Sequence, residues 1–360
     1  MQKPSLPENH REHREILWRK TLNQTVEFKP DLKYTYATGR IRVLETKLLS
    51  SSKVEKMINS RSISDVLIYL EDTAYDDTVG EMKDPGKYGE FVKIERLISF
   101  DLMERLILDP DVKHLFRIPY DFHNLKVLLK RRLSEVATSI VLSDFGTIPA
   151  EVMKTAFETD NFHLLPEFMR EVIGQALAQH YLKKNLKSME FLIDNLEYNH
   201  LLFLSKKTNI PFLVTYVKIK IDLTNISTFL RIKYFNTKDN VEEALIEGGN
   251  LQLRFFLQLI SESPESLPSF FSNNPYLYLI EEGVRKIIED GSFSIFDKES
   301  ENYIMNYMKL SRYVTFGIEP IVAYFVSREQ DLNIIKMILV GKLNEIPTEE
   351  IRQRIPITFN

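Results

Sequence analysis

The chain has 360 residues, 47 of them Lys or Arg and 51 Asp or Glu, for a formal charge of −4; 44% are hydrophobic and 27% charged. That is enough apolar side chain to bury a full core, and the interspersed charges supply no basic field for nucleic acid or for an anionic membrane surface. Absence of cysteine excludes disulfides, thiolate nucleophiles and Cys-type zinc sites and fits an intracellular protein, while only 12 Gly and 15 Pro favour long helices over a turn-rich β fold.

Residues 1–33 are polar, carry Pro4, Pro7 and Pro30, and read as an extension whose middle forms an amphipathic helix around Ile16, Leu17 and Trp18. They contain no apolar core of a secretory signal. From Tyr36 a helical period sets in: Ile41, Leu44, Leu48 and Leu49 share one face, with Arg40, Arg42, Glu45 and Lys47 on the others as a solvated surface. A short element with Val54, Met57 and Ile58 follows, and Ser62, Ser64 and Asp65 offer caps before Val66, Leu67 and Leu70. Lys183, Lys184 and Lys187 read as one solvated helix face. After Gly317, Glu319 and Pro320 open an apolar-rich helix running to Ile338, and Pro347 opens a last helix that Pro356 stops. The longest uncharged run, Ser266 to Ile280, is interrupted by Pro268 and Pro275, so a membrane span of ~20 apolar residues is not expected.

A small polar box recurs along this helical pattern. It reads Asp121 and Asn124 with Leu125, Leu128 and Leu129, returns as Asp222 and Asn225 with Ile226, Phe229 and Leu230, and recurs more weakly as Gln330 and Asn333 with Ile334, Met337 and Ile338. Gly39, Gly146 and Gly249 precede the three boxes at similar distances. Repetition at this interval predicts one helical unit used three times, with boundaries at 34–140, 141–242 and 243–360, the last including the C-terminal helix. Positions i and i+3 share a helix face, so each Asp and its Asn point the same way. The boxes could be ligands or catalytic carboxylates; the favoured reading makes them polar anchors that accept bonds from a neighbouring helix start or a basic residue, because a catalytic site is rarely triplicated and the third copy, with Gln330, has lost its carboxylate.

No phosphate loop, dinucleotide turn, zincin helix or nucleophile elbow occurs, so no catalytic residue and no cofactor are assigned. His10 and His13 have a metal-compatible spacing but no carboxylates placed to complete a shell, and His114, His123, His163, His180 and His200 are scattered. No metal site is expected.

The segment Tyr34, Gly39, Arg40, Ile41, Arg42, Leu44, Glu45, Leu48 and Leu49, followed by Leu70, Thr73 and Tyr75, resembles the opening of the C subunit of prokaryotic V-type ATPases, whose eukaryotic counterpart is the d subunit. The Asp-x-x-Asn boxes and the closing stretch Gly317, Glu319, Pro320, Tyr324, Asn333, Gly341, Lys342, Pro347 and Arg352 resemble the same family, so the likeness runs from about Tyr34 to Ile355. The resemblance implies an all-α, funnel-shaped body of three pseudo-equivalent units. It also implies a non-catalytic central-stalk subunit, peripheral on the cytoplasmic face, that couples the rotor shaft to the membrane proteolipid ring. Two other classes stay open beside it: a helical adaptor unrelated to ATPases, and an all-α enzyme with a dispersed site.

Overall fold

A computed structural model of the chain describes residues 28, 30–81, 87–134, 141–237 and 239–360. The helix expected around Trp18 and the pair His10 and His13 lie outside these residues. Among the described residues the regular elements are all helical and no strand occurs, so the fold class is all-α. Two compact units form, one joining the described residues up to Leu108 with Ser263–Asn360 (unit 1), the other Asp109–Glu262 (unit 2).

Unit 1 starts with α1, Thr35–Glu45. The helix ends before the apolar period does: Leu48 and Leu49 are buried but lie past its last turn, where the Leu48 N–H returns to the Glu45 carbonyl at 3.1 Å. Nor are Arg42 and Glu45 a solvated face. Glu45 is buried and paired with Arg42 at 2.9 Å, and the second guanidinium nitrogen donates to the carbonyls of Ser311 and Val314, both at 2.8 Å. The helix α2, Ser51–Asn59, is capped by Ser50 and buries Val54, Met57 and Ile58. A reciprocal capping box between Ser62 and Asp65 starts α3, Ile63–Ile68, which satisfies two of the amides that a helix start leaves unpaired. The short α4, Asp76–Glu81, and the long α5, Tyr88–Leu106, follow.

Unit 2 is built on α6, Pro110–Leu133, which runs through Pro119 in its interior. After it come α7, Ala150–Glu158, and α8, Glu167–Lys183. The residue after α8, Lys184, takes a left-handed conformation, and α9, Leu186–Lys207, starts at once. Lys183 and Lys187 therefore sit on two helices, paired with Glu243 and Asp239 respectively, and are not one lysine face. The helix α10, Pro211–Tyr234, precedes the short α11, Val241–Ala244, and α12, Leu253–Gln258. Helices α6 and α9 are clamped by an ion-pair ladder in which Lys126 meets Asp194 and Glu197 and Lys130 meets Glu190, with Phe116 stacked on Tyr216 of α10 at 6.4 Å.

The chain then completes unit 1 with α13, Leu267–Phe270, α14, Leu277–Asp290, α15, Ser294–Lys309, α16, Glu319–Leu343, and α17, Thr348–Arg354. Of these α16 is the axis of the core: Leu332, Ile335 and Ile338 are fully buried against Leu49, Met57 and Val66 from the opposite end of the sequence. Beyond α17 the tail is tied down as well. The Ile357 N–H donates to Asn302 at 2.8 Å, Arg312 lies over the buried Phe359 ring, and the Asn360 amide donates to the Glu45 carbonyl at 2.9 Å.

Candidate functional site

Three helices of nearly equal length share one design. Each of α6, α10 and α16, with 24, 24 and 25 residues, carries a proline in its first turn (Pro110, Pro211, Pro320) and a fully buried aspartate eleven residues later (Asp121, Asp222, Asp331). Proline is cheap there because the first-turn amides have no partner within the helix. A buried carboxylate is costly unless its oxygens are satisfied, so its partners explain why it is kept.

In the first copy Asp121 takes the N–H and hydroxyl of Thr147 at 3.0 and 2.6 Å on one oxygen and the Ile148 N–H at 3.0 Å on the other. One turn on, Asn124 exchanges two bonds with the backbone of Ser143, at 2.7 and 2.8 Å. In the second copy Asp222 takes the backbone N–H and side-chain amide of Asn250 at 3.1 and 2.8 Å and the Leu251 N–H at 2.9 Å, while Asn225 exchanges two bonds with Ile246, both at 2.8 Å. Ile148 and Leu251 each stand two residues before a helix, α7 and α12. The long helix thus fixes where the next short helix begins. Burial pushes the Asp121 carboxyl up, opposed by the bonds from Thr147 and Ile148 and by the Arg117 charge.

The third copy is Asp331, one residue beyond Gln330. Asn333 is exposed and its partner position in the box pattern, three residues after the aspartate, is the fully buried Ile334. Gln330 is buried but its side-chain nitrogen has no partner among the described residues, whereas Asp331 accepts the Leu49 N–H at 2.9 Å and the Tyr75 hydroxyl at 3.0 Å. Leu49 again stands two residues before a helix, α2. The register of the third box is corrected accordingly: asparagine was lost from it, and the carboxylate was not.

Glycine is required beside two of the anchors. A Cβ on Gly146 would lie 2.1 Å from Asp121 Oδ1, and one on Gly249 would lie 2.2 Å from Asp222 Oδ1, while its neighbour Gly248 has φ +95°. Gly39 plays no such part: it lies inside α1 with open space around it, and the position two residues before Leu49 is Lys47.

Next to Asp331 lies a second buried charged group that the sequence pattern does not announce. Arg328, 4% exposed, pairs with Glu95, 1% exposed, donates to the Tyr324 hydroxyl at 3.3 Å and covers the Tyr75 ring at 5.2 Å. Burial raises the Glu95 carboxyl, and the Thr78 and Arg328 hydrogen bonds oppose it. Burial alone drives Asp331 up to about 7 against weaker opposition from Leu49, Tyr75 and Arg328.

These groups are structural in their geometry: the bonds they make run to backbone or to partners inside the core, with no nucleophile and base converging on open space. A cleft of about 300 Å³ in unit 2 is lined by Gln179, Ser188, Asn195 and Glu243, yet these bond to one another or to nearby backbone, as in Gln179 to Ser188 at 2.8 Å. His200 stacks on Phe168 at 4.8 Å, and among the described residues no group of three or more His, Asp or Glu could hold a metal ion. No helix among the described residues is long and apolar enough to cross a membrane.

Residues 37–354 match the family described as ATP synthase (C/AC39) subunit. The A-type ATP synthase C subunit of Methanosphaera stadtmanae is 26% identical, covering 93% of this chain and 90% of its own length, and that of Methanocaldococcus jannaschii is 25% identical over 89% and 85%. The V-type sodium ATPase C subunit of Enterococcus hirae is 22% identical over 90% of this chain and 98% of its own. With nearly its whole length matched, the chain belongs to the C/AC39 family of ATP synthase subunits.

Proposed function

We propose that this chain is a non-catalytic central-stalk subunit of a rotary V-type ATPase or ATP synthase, seated on the cytoplasmic face of the membrane between the rotor shaft and the proteolipid ring. The supporting observation is the triplicated anchor: Asp121, Asp222 and Asp331 each lock a long helix to the start of a short one. It favours three pseudo-equivalent units, which the family resemblance implies to form a funnel-shaped receptacle.

A rotary coupling needs stiffness. Moving one charge through 100 mV is worth about 2.3 kcal/mol and several ions pass for each ATP, so the joint resists roughly 10 kcal/mol per catalytic step. Buried polar anchors inside a packed core admit few alternative arrangements, which suits a part that transmits torque and performs no chemistry.

Reconstitution tests the proposal. A rotary complex assembled without this chain should hydrolyse ATP in its head and fail to move ions, and adding the chain back should restore transport. Ion transport at the full rate without the chain would refute it, as would substrate turnover by the isolated chain.

A further inference from the structure

We infer that Asp331 makes unit 1 a pH-responsive joint, in which loss of the carboxyl proton favours release of the Leu49 segment from α16 and its uptake favours closure. This goes beyond the proposed function and stands whether or not the chain couples a rotor.

The three anchors are not equally provided. Asp121 and Asp222 each accept at least three hydrogen bonds spread over both oxygens. Among the described residues Asp331 accepts two, both on Oδ2, and its Oδ1 is buried without a hydrogen-bond partner. Its environment is no richer in positive charge. On α16 the neighbouring titratable groups are Arg328 and Tyr324; from the segment before α4 comes Tyr75, and from α5 comes Glu95, which Asp77 of α4 also faces and to which the Thr78 hydroxyl is bonded. Arg328 is the single cation among them and is engaged by Glu95. With Asp331 neutral, the buried group balances as one cation and one anion; with Asp331 ionised it holds an extra negative charge in an apolar core of residues such as Val66, Leu70 and Leu332.

Opening at Leu49 would let water solvate that charge. The contact bridges residues 282 positions apart, so chain connectivity does not hold it closed, and opening it lifts Leu49 from its packing beside Leu332, Ile335 and Ile338. An open state with an ordinary carboxyl, near 3.8, and a closed state near 7 differ in proton uptake between those values. Within that window the open fraction rises about tenfold per pH unit, and above it the two states titrate alike and the effect levels off.

Hydrogen exchange on the full-length chain reads this directly. Protection of the Leu49 amide, corrected for the intrinsic rate, should fall about tenfold per unit from pH 5 to 7, more steeply than that of the Ile148 amide, whose acceptor Asp121 is held by three hydrogen bonds. In Asp331→Asn the Leu49 protection should be independent of pH. Wild-type protection that stays constant across the window, or that falls as steeply in Asp331→Asn, would overturn the inference. Because that variant could fail to fold, the Asp331 carboxyl carbon is also titrated by NMR in the wild-type chain: a midpoint near 7 supports the joint, and one near 4 refutes it.

Discussion

The carboxylate of Asp331 accepts the backbone N–H of Leu49 at 2.9 Å, joining a helix near the end of the chain to a turn near its beginning. Asp121 does the same for Ile148 and Asp222 for Leu251, but over only 27 and 29 positions. One local device is therefore used twice along the chain and a third time to close its two ends together. Its energetic weight can be measured anchor by anchor.

Removing a buried acceptor strands the donors that pointed at it, at about 1–3 kcal/mol for each. Asp222→Ala leaves the amides of Asn250 and Leu251 without their acceptor and should lower stability by roughly 3 kcal/mol or more in urea unfolding, with the slope of the transition unchanged. A loss below about 0.5 kcal/mol would mean the anchor is dispensable.

The glycines separate the anchor geometry from sequence spacing. Gly146→Ala and Gly249→Ala push a methyl group into a carboxylate held by several bonds and should cost about 1–3 kcal/mol each. Gly39→Ala, inside α1 with nothing within 4 Å, should instead stabilise by about 0.5–1 kcal/mol. Thermal or urea denaturation of the three variants gives the sign directly.

The buried pair Glu95 and Arg328 predicts strong coupling. Arg328→Met alone leaves Glu95 buried without its cation and should destabilise by about 3–5 kcal/mol, whereas the double change Glu95→Leu with Arg328→Met should cost clearly less than the sum of the singles. A double-mutant cycle showing additivity would contradict the pairing.

Global stability should carry the same proton as the joint. Asp331 has its carboxyl raised by burial to about 7 from 3.8, so its neutral form contributes fully at acidic pH and that contribution is lost as pH rises from about 4 to 7. Relative to Asp331→Asn, the wild-type chain should therefore lose stability between pH 5 and 7.5 in parallel unfolding curves. A wild-type gain over that range would give the wrong sign.

Much of the helical layout can be read from the chain. The Ser62 and Asp65 box, the opening of α16 at Glu319 and Pro320, and the stop at Pro356 are local signals and lie where the sequence puts them. The Asp121–Asn124 and Asp222–Asn225 spacing is visible because i and i+3 share a helix face. Its partners are not, because nothing in periodicity tells which distant amide a carboxylate will take. For that reason Leu49 reads as the last turn of α1, when Asp331 holds its amide outside the helix. The third box slips by one residue because Ile334 replaces the asparagine and a chance Gln330–Asn333 match stands beside it. The constant eleven-residue offset from Pro110, Pro211 and Pro320 to the aspartates is the signal that fixes the register. Glu95, Arg328 and Glu45 escape notice because a charge on an amphipathic helix is read as solvated, and burial of a pair depends on contacts between segments remote in sequence.

The proposed coupling role is tested most directly by what accompanies the chain out of the membrane. Affinity capture of the full-length chain from gently detergent-extracted membranes, followed by identification of every co-purifying protein, should recover an ATPase head and a short proteolipid in fixed proportion. Recovery of the chain as a free monomer under the same extraction, with head and proteolipid intact in another fraction, would contradict it.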